Sequence, residues 1–250
     1  MKKLLTVLLC LCLLPWNSAC GEAFVFGASE SGRDLVCHSI GSADASQSIL
    51  LTFAVHGFEG ARDHDGEVLV EIAQNLIDHY STQPESLSGY VLHIIPCVNP
   101  DGLLDGTGEY TVGRLNAKEL DINRDFPERW THKTNAKHRT GDAPFATSEA
   151  RAVRDLTGKL KPTYAVDVHG WINGVYGDKA LCSIFHDAFG FPIRNFSDGG
   201  MLAQWMDTVT EGAVMVELPH RPGRENYAAD QTEKMIEALD AVMNPNRPDL

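Results

Sequence analysis

Short apolar runs of strand character alternate along this chain with segments whose apolar residues recur at helical spacing. That alternation most constrains the fold. "SILLTFAV" (48–55), "YVLHIIPCV" (90–98), "TYAVDV" (163–168) and "AVMVEL" (213–218) read as strands. "GEVLVEIAQNLIDHY" (66–80), "TSEARAVRDLTGKL" (147–160), "GGMLAQWMDTV" (199–209) and "ENYAADQTEKMIEALDAVM" (225–243) read as helices, the second with Thr147 or Ser148 as its N-cap. Asn99-Pro100-Asp101-Gly102 is a strong turn signal. Strands with little polar interruption, linked by helices, predict an α/β chain: one mixed, largely parallel twisted sheet flanked by helices. With 250 residues, 43% of them hydrophobic, the chain can bury one sizeable core.

In sheets of this kind ligands gather beyond the carboxyl ends of the strands. Reactive side chains fall there. His56 and Glu59 follow the first run in "AVHGFEGARD", His169 follows "YAVDV", and Glu217 closes "AVMVEL". Two histidines and one carboxylate give zinc three ligands and leave a fourth position for water, which is the composition of a catalytic site. Spacing alone leaves the alternative open, since a lone H-x-x-E pair is also what two solvated loop residues look like. His64 and Asp65 are the nearest competing ligands, but neighbours in sequence cannot readily face one ion together.

The N-terminus carries Lys2 and Lys3, an apolar stretch from Leu4 to Leu14 and small residues around Ser18 to Gly21. This pattern predicts a secretory signal over 1–21, with the folded domain over 22–250. The expected location is therefore outside the cytoplasm, periplasmic or extracellular. Cys20 after Ser-Ala leaves lipid anchoring open, with Asn17 against it. Cys37, Cys97 and Cys182 then remain, an odd number without metal-ligand spacing, and they read as small buried hydrophobes. A formal charge of −13 argues against a nucleic acid or anionic membrane held by a basic surface. No run beyond the signal is long enough to span a bilayer.

"GRLNAKELDINRDFPERW" (113–130), with "HGFEG", "NPDG", "GDAPFATSEARAV", "DVHGW" and "VELP", resembles the zinc carboxypeptidase family over nearly the whole chain from Phe26. It resembles in particular the short bacterial members that act on cell-wall peptides. The resemblance implies a carboxypeptidase-like single domain holding one zinc through His56, Glu59 and His169. It implies that Asp121 accepts a hydrogen bond from a ligating histidine, and that Asn123 and Arg124 hold the substrate's terminal carboxylate. Arg114 is then the arginine facing the scissile carbonyl, and Glu217 the general base. The expected substrate is a peptide, in particular a muropeptide cut at γ-D-glutamyl–diaminopimelate. Cleavage of diaminopimelate–D-Ala and general carboxypeptidase action are the alternatives.

Two departures stand out. "FPIRNFSDGGML" lacks the tyrosine that many members place there, with Asn195 or Phe196 near its position. Leu202 falls near the family's specificity position, where an uncharged residue argues against a simple preference for C-terminal Lys or Arg. Arg194 is a candidate partner for an acidic group on the substrate. An aspartoacylase-like deacylase and a non-catalytic peptidoglycan-peptide binder are the remaining readings. Export and "GDAPFATSEA" weigh against the first, Glu217 and Arg114 against the second.

Overall fold

A computed structural model describes residues 21–42, 44–60, 65–106, 113–244 and 246. The expected signal, except Gly21, and the competing ligand His64 lie outside the described residues. Eight strands form one sheet: β1 (Glu22–Ala28), β2 (Asp34–Ile40), β3 (Gln47–Phe53), β4 (Tyr90–Ile95), β5 (Tyr164–Gly170), β6 (Gly174–Gly177), β7 (Ile193–Arg194) and β8 (Gly212–Leu218). Their order across the sheet is β1-β2-β4-β3-β5-β8-β6-β7. β4, β3, β5 and β8 run parallel at the centre, and β2 and β6 join antiparallel on either side. All four apolar runs are the central strands, as the alternation predicts.

The helices are α1 (Gly66–Thr82), α2 (Pro100–Asp105), α3 (Ser148–Leu160), α4 (Lys179–Phe189), α5 (Leu202–Met206) and α6 (Tyr227–Val242). α1 buries Leu69, Ile72, Ala73, Leu76 and Tyr80, a stripe at three- and four-residue spacing. It packs on the sheet face that also holds α4 and α6, against Ile49, Leu51, Phe53, Val166, Val168, Val214 and Val216. The opposite face carries Leu50, Ala165 and Ala213 beneath α3 and α5. Because strand side chains alternate, Asp167 and His169 share the second face with Ala165, and Met215 and Glu217 share it with Ala213. The core therefore turns polar on one face only, at the carboxyl end of the sheet.

Several elements differ from the sequence reading. Asn99-Pro100-Asp101-Gly102 opens the short helix α2 instead of a simple turn, the Asn99 side chain accepting from the Gly102 amide. The helix expected over 199–209 shrinks to α5, because Gly200 takes φ +79 and Met201 is extended, neither of which a helix allows. Thr147, not Ser148, caps α3 by accepting from the Ala150 amide. The apolar-run pattern passes over β1, β2, β6, β7 and α4, although α4 has an Asp178 N-cap and ends at Gly190 in the left-handed region.

Candidate active site

His56 leaves the end of β3, and the turn after it is shaped by a close approach. A Cβ on Gly57 would lie 2.1 Å from the Leu103 amide nitrogen of α2, so any side chain there would drive the two segments apart. The returning chain is tied by Asp65, which accepts from the Glu59 amide at 2.6 Å and from the Trp171 indole at 2.7 Å. Asp65 thus links the loop carrying Glu59 to the residues following His169. It acts here as a brace.

His56, Glu59 and His169 come together with their ligand atoms all within 4.8 Å of one another. Nδ1 of His56 lies 3.0 Å from Glu59 Oε2, and Nδ1 of His169 lies 2.9 Å from Glu59 Oε1. The far nitrogen of each ring meets another carboxylate. His56 Nε2 is 3.0 Å from Asp121 Oδ1, and His169 Nε2 is 2.9 Å from Asp167 Oδ2. Each ring then donates through Nε2 and turns Nδ1 inward, the tautomer a metal requires. Asp167 escapes the sequence reading, yet a signal exists: in D-x-H within a strand, both side chains point to one face. Thr52 on β3, in register with Asp167, donates to its other oxygen at 2.8 Å.

Without a metal, the cluster settles its charge internally. Burial would raise the Glu59 carboxyl, but charge on His56 and His169 outweighs it and holds the group at about 2. Burial would likewise lower His169, but Asp167 and Glu59 carry it well above the usual imidazole range. Burial works against the Asp121 carboxylate too, but the charges of Arg114 and His56 keep it well below the carboxylate range. A proton on His169 therefore stands where a cation would. The donor set, two oriented imidazoles and a carboxylate, fits zinc.

Glu217 is the register partner of His169 on the adjacent parallel strand. Its Oε2 is buried with no hydrogen-bond partner among the described residues. Burial raises its carboxyl to about 6, against the pull of the charge on His169. A buried carboxyl of that pKa, aimed at a metal-type triad, is poised to exchange protons near neutrality.

Arg114 is nearly buried, its Nη1 3.7 Å from Glu59 Oε2, its Nη2 3.4 Å from Asp121 Oδ2 and its Nε donating to the Lys137 carbonyl at 3.3 Å. Its backbone is held by Asn99, whose Nδ2 donates to the Arg114 and Leu115 carbonyls. His138, also missed in sequence, contacts Asp121 Oδ2 through Nδ1 at 2.9 Å. Asn123, which lines the same cleft, is engaged at both ends of its side chain. Its Oδ1 accepts from the Leu202 amide at 2.9 Å, and its Nδ2 lies 3.3 Å from His169 Nε2. Arg124 donates from Nε to Asp198 and from Nη1 to the Asn123 carbonyl.

These residues line one cleft of about 330 Å³. His56, Glu59, Arg114, Asn123, Arg124, His169 and Glu217 all face it. Tyr176, Phe196, Met201 and Met215 make an apolar wall. Met201 lines the wall where Leu202 was expected to sit, and Leu202 is fully buried behind it. Arg194 is exposed and donates to the Asn173 carbonyl.

A family model described as zinc carboxypeptidase matches residues 18–182, a span that holds His56, Glu59, Arg114, Asp121, Asn123, Arg124 and His169. The chain belongs to the zinc carboxypeptidase family. Among curated proteins, bacteriocin BCN5 of Clostridium perfringens is 30% identical over 206 residues, covering 79% of this chain and 23% of that protein. Murein peptide amidase A of Escherichia coli K12 is 31% identical over 145 residues, 51% of this chain and 57% of the amidase. This zinc carboxypeptidase chain thus spans less than two thirds of either relative. The solved murein-tripeptide amidase of Escherichia coli O157 shares the fold with a TM-score of 0.62 at 21% identity, covering 90% of this chain and 93% of the amidase. Among the described residues, no helix is long and apolar enough to cross a membrane.

Proposed function

We propose that the protein is a zinc-dependent exopeptidase that hydrolyses the peptide bond next to a residue bearing a free carboxylate. The observation that carries this reading is the convergence of His56 Nδ1, Glu59 and His169 Nδ1 with Glu217, whose Oε2 is buried and unpaired. His56, Glu59 and His169 are the ligands, with Asp121 and Asp167 orienting the two rings. Zinc, when bound, acidifies a water from a pKa of ~15.7 toward ~7 and polarises the substrate carbonyl. Glu217 takes the proton of the attacking water and returns it to the leaving amine. Arg114, beside Glu59, supports the negative oxygen that develops on the scissile carbonyl. Arg124 meets the substrate carboxylate.

The bond we assign is γ-D-glutamyl–diaminopimelate in peptidoglycan peptides. Three cationic side chains, Arg114, Arg124 and Lys137, line the cleft, which suits a substrate rich in carboxylates. Such a muropeptide carries several carboxylates. Likeness to the murein amidases adds support, and export by the N-terminal pattern over 1–21 would bring the enzyme to that substrate. A second reading, a carboxypeptidase for apolar C-terminal residues, is favoured by the wall of Tyr176, Phe196, Met201 and Met215. Mass spectrometry of tri- and tetrapeptide muropeptides after digestion decides between them. Release of diaminopimelate from the tripeptide is expected. If only peptides ending in apolar residues are shortened, the assignment of the bond is wrong.

A further inference from the structure

"SDGGML" (197–202) has no place in the chemistry above, yet it meets both residues of the expected carboxylate clamp. Asp198 is held at each oxygen. Lys133 Nζ and the Gly199 amide donate to Oδ1 at 2.8 Å each, and Arg124 Nε donates to Oδ2 at 3.1 Å. The loop is locked to the segment carrying Arg124 by close backbone contact. Gly200 N donates to the Glu128 carbonyl at 2.7 Å, and the Phe126 amide donates to the Gly200 carbonyl at 3.1 Å. A Cβ on Gly199 would lie 2.1 Å from the Arg129 carbonyl oxygen, and Gly200 holds φ +79 against the Arg124 carbonyl. Nothing larger than glycine fits this docking.

The consequence falls on the guanidinium. Nε donates to Asp198 and one Nη1 N–H to the Asn123 carbonyl at 2.6 Å, while the second Nη1 N–H and both on Nη2 have no acceptor among the described residues. The Asp198 side chain is 31% exposed and that of Arg124 only 8%, and Arg124 faces the cleft. We propose that Asp198 is a positioning residue for substrate recognition: it fixes the plane of Arg124 so that the N–H groups left on Nη2 and Nη1 are presented to the substrate carboxylate. This rests on the reading of Arg124 as the carboxylate ligand. This arrangement uses two of the five guanidinium N–H groups inside the protein and holds the rest in one orientation. Its advantage is preorganisation, because a long side chain already ordered loses less freedom when substrate arrives.

The test uses L-alanyl-γ-D-glutamyl-meso-diaminopimelate and the same peptide with the carboxylate next to the cut bond amidated. Asp198→Ala is expected to raise KM for the acid by about tenfold while kcat stays within about twofold, the signature of lost ground-state binding. KM for the amide should not move, and Asp198→Glu should recover most of the loss. Lys133→Met, which leaves Oδ1 to the Gly199 amide alone, should shift KM the same way by less. An acid-to-amide ratio unchanged in a folded Asp198→Ala overturns the positioning role and leaves the Arg124 clamp standing. Equal turnover of acid and amide by the unaltered enzyme, or of neither, removes the clamp and this role together. Should Asp198→Ala fail to fold, Asp198→Asn, which keeps the shape and loses the charge, decides on the same readouts.

Discussion

Asp167→Asn should damage zinc binding more than the near-isosteric exchange of one oxygen for nitrogen suggests. In the native protein Asp167 accepts from His169 Nε2 at 2.9 Å and from Thr52 Oγ1 at 2.8 Å. An asparagine that keeps Oδ1 toward the Thr52 hydroxyl must turn its amide N–H groups toward His169 Nε2. The Asn123 amide already stands 3.3 Å from that nitrogen. With donors on that side, the ring places its proton on Nδ1, the atom 2.9 Å from Glu59 and the one a metal needs bare. Removing a carboxylate behind a ligating histidine costs typically ~10–100-fold in metal affinity. The reversed tautomer argues for the upper end, about 100-fold or ~2.7 kcal/mol. Competition with a chromophoric chelator at pH 7.5 measures it, and ¹⁵N shifts of His169 in the metal-free variant report which nitrogen carries the proton. Zinc affinity within about threefold of the native value would refute the tautomer argument.

Other outcomes follow from the same geometry. Glu217→Gln should keep zinc and fold while losing ~10²–10⁴ in kcat, measured on the tripeptide; retention of a tenth of the activity would remove Glu217 as base. Glu217 sits at about 6 without metal, and the base works deprotonated, so kcat/KM should fall as pH drops. The positive charge of bound zinc moves that limb to 6 or below, and a limb centred above 7 would contradict it. His169 is raised well above the imidazole range in the metal-free protein, so zinc must expel its proton, and zinc affinity should weaken steadily from pH 8 to pH 6. For the same reason the metal-free protein should lose thermal stability as pH rises from about 6.5 through the raised His169 pKa, since the stabilising proton is lost there. The zinc-loaded protein should show no such loss.

The parts of this protein that were legible in sequence share a physical cause. Ile49–Phe53 and Val214–Leu218 are buried on both faces, so each appears as an apolar run, and a ligand at its end stands out. β1 and β7 lie at the edges, where Glu22, Val25, Ile193 and Arg194 are exposed and no such run is required. The pair His56 and Glu59 was visible because chain neighbours supply it. Asp121 and Arg124 became visible only through the family's pattern. The contacts that orient them were not: Asp198 is 74 residues from Arg124 and His138 is 17 from Asp121, and no local period marks such pairs. Asp167 alone among the missed residues carried a local sign, its two-residue spacing from His169.

The two histidines are supported in different ways, and this separates what the sheet controls from what the loops control. His169 stands on β5, Asp167 on the same strand, and Thr52 on the neighbouring β3, so the sheet register itself sets the ring. His56 depends on Asp121, which stands in a loop that collects His138, Arg114 and the Asn123 amide around one carboxylate. That loop is held from outside the metal site. Asn99 donates to the Arg114 and Leu115 carbonyls, Asn116 accepts from the Lys118 and Leu120 amides, and Asp125 accepts from the Ala146 and Thr147 amides at the start of α3. A change at Asn116 or Asp125 would therefore act on the proposed metal site mainly by displacing Asp121 and Arg114 together. It should weaken the oxyanion support and the His56 side of the site while leaving His169 in place, whereas a change at Thr52 should do the reverse.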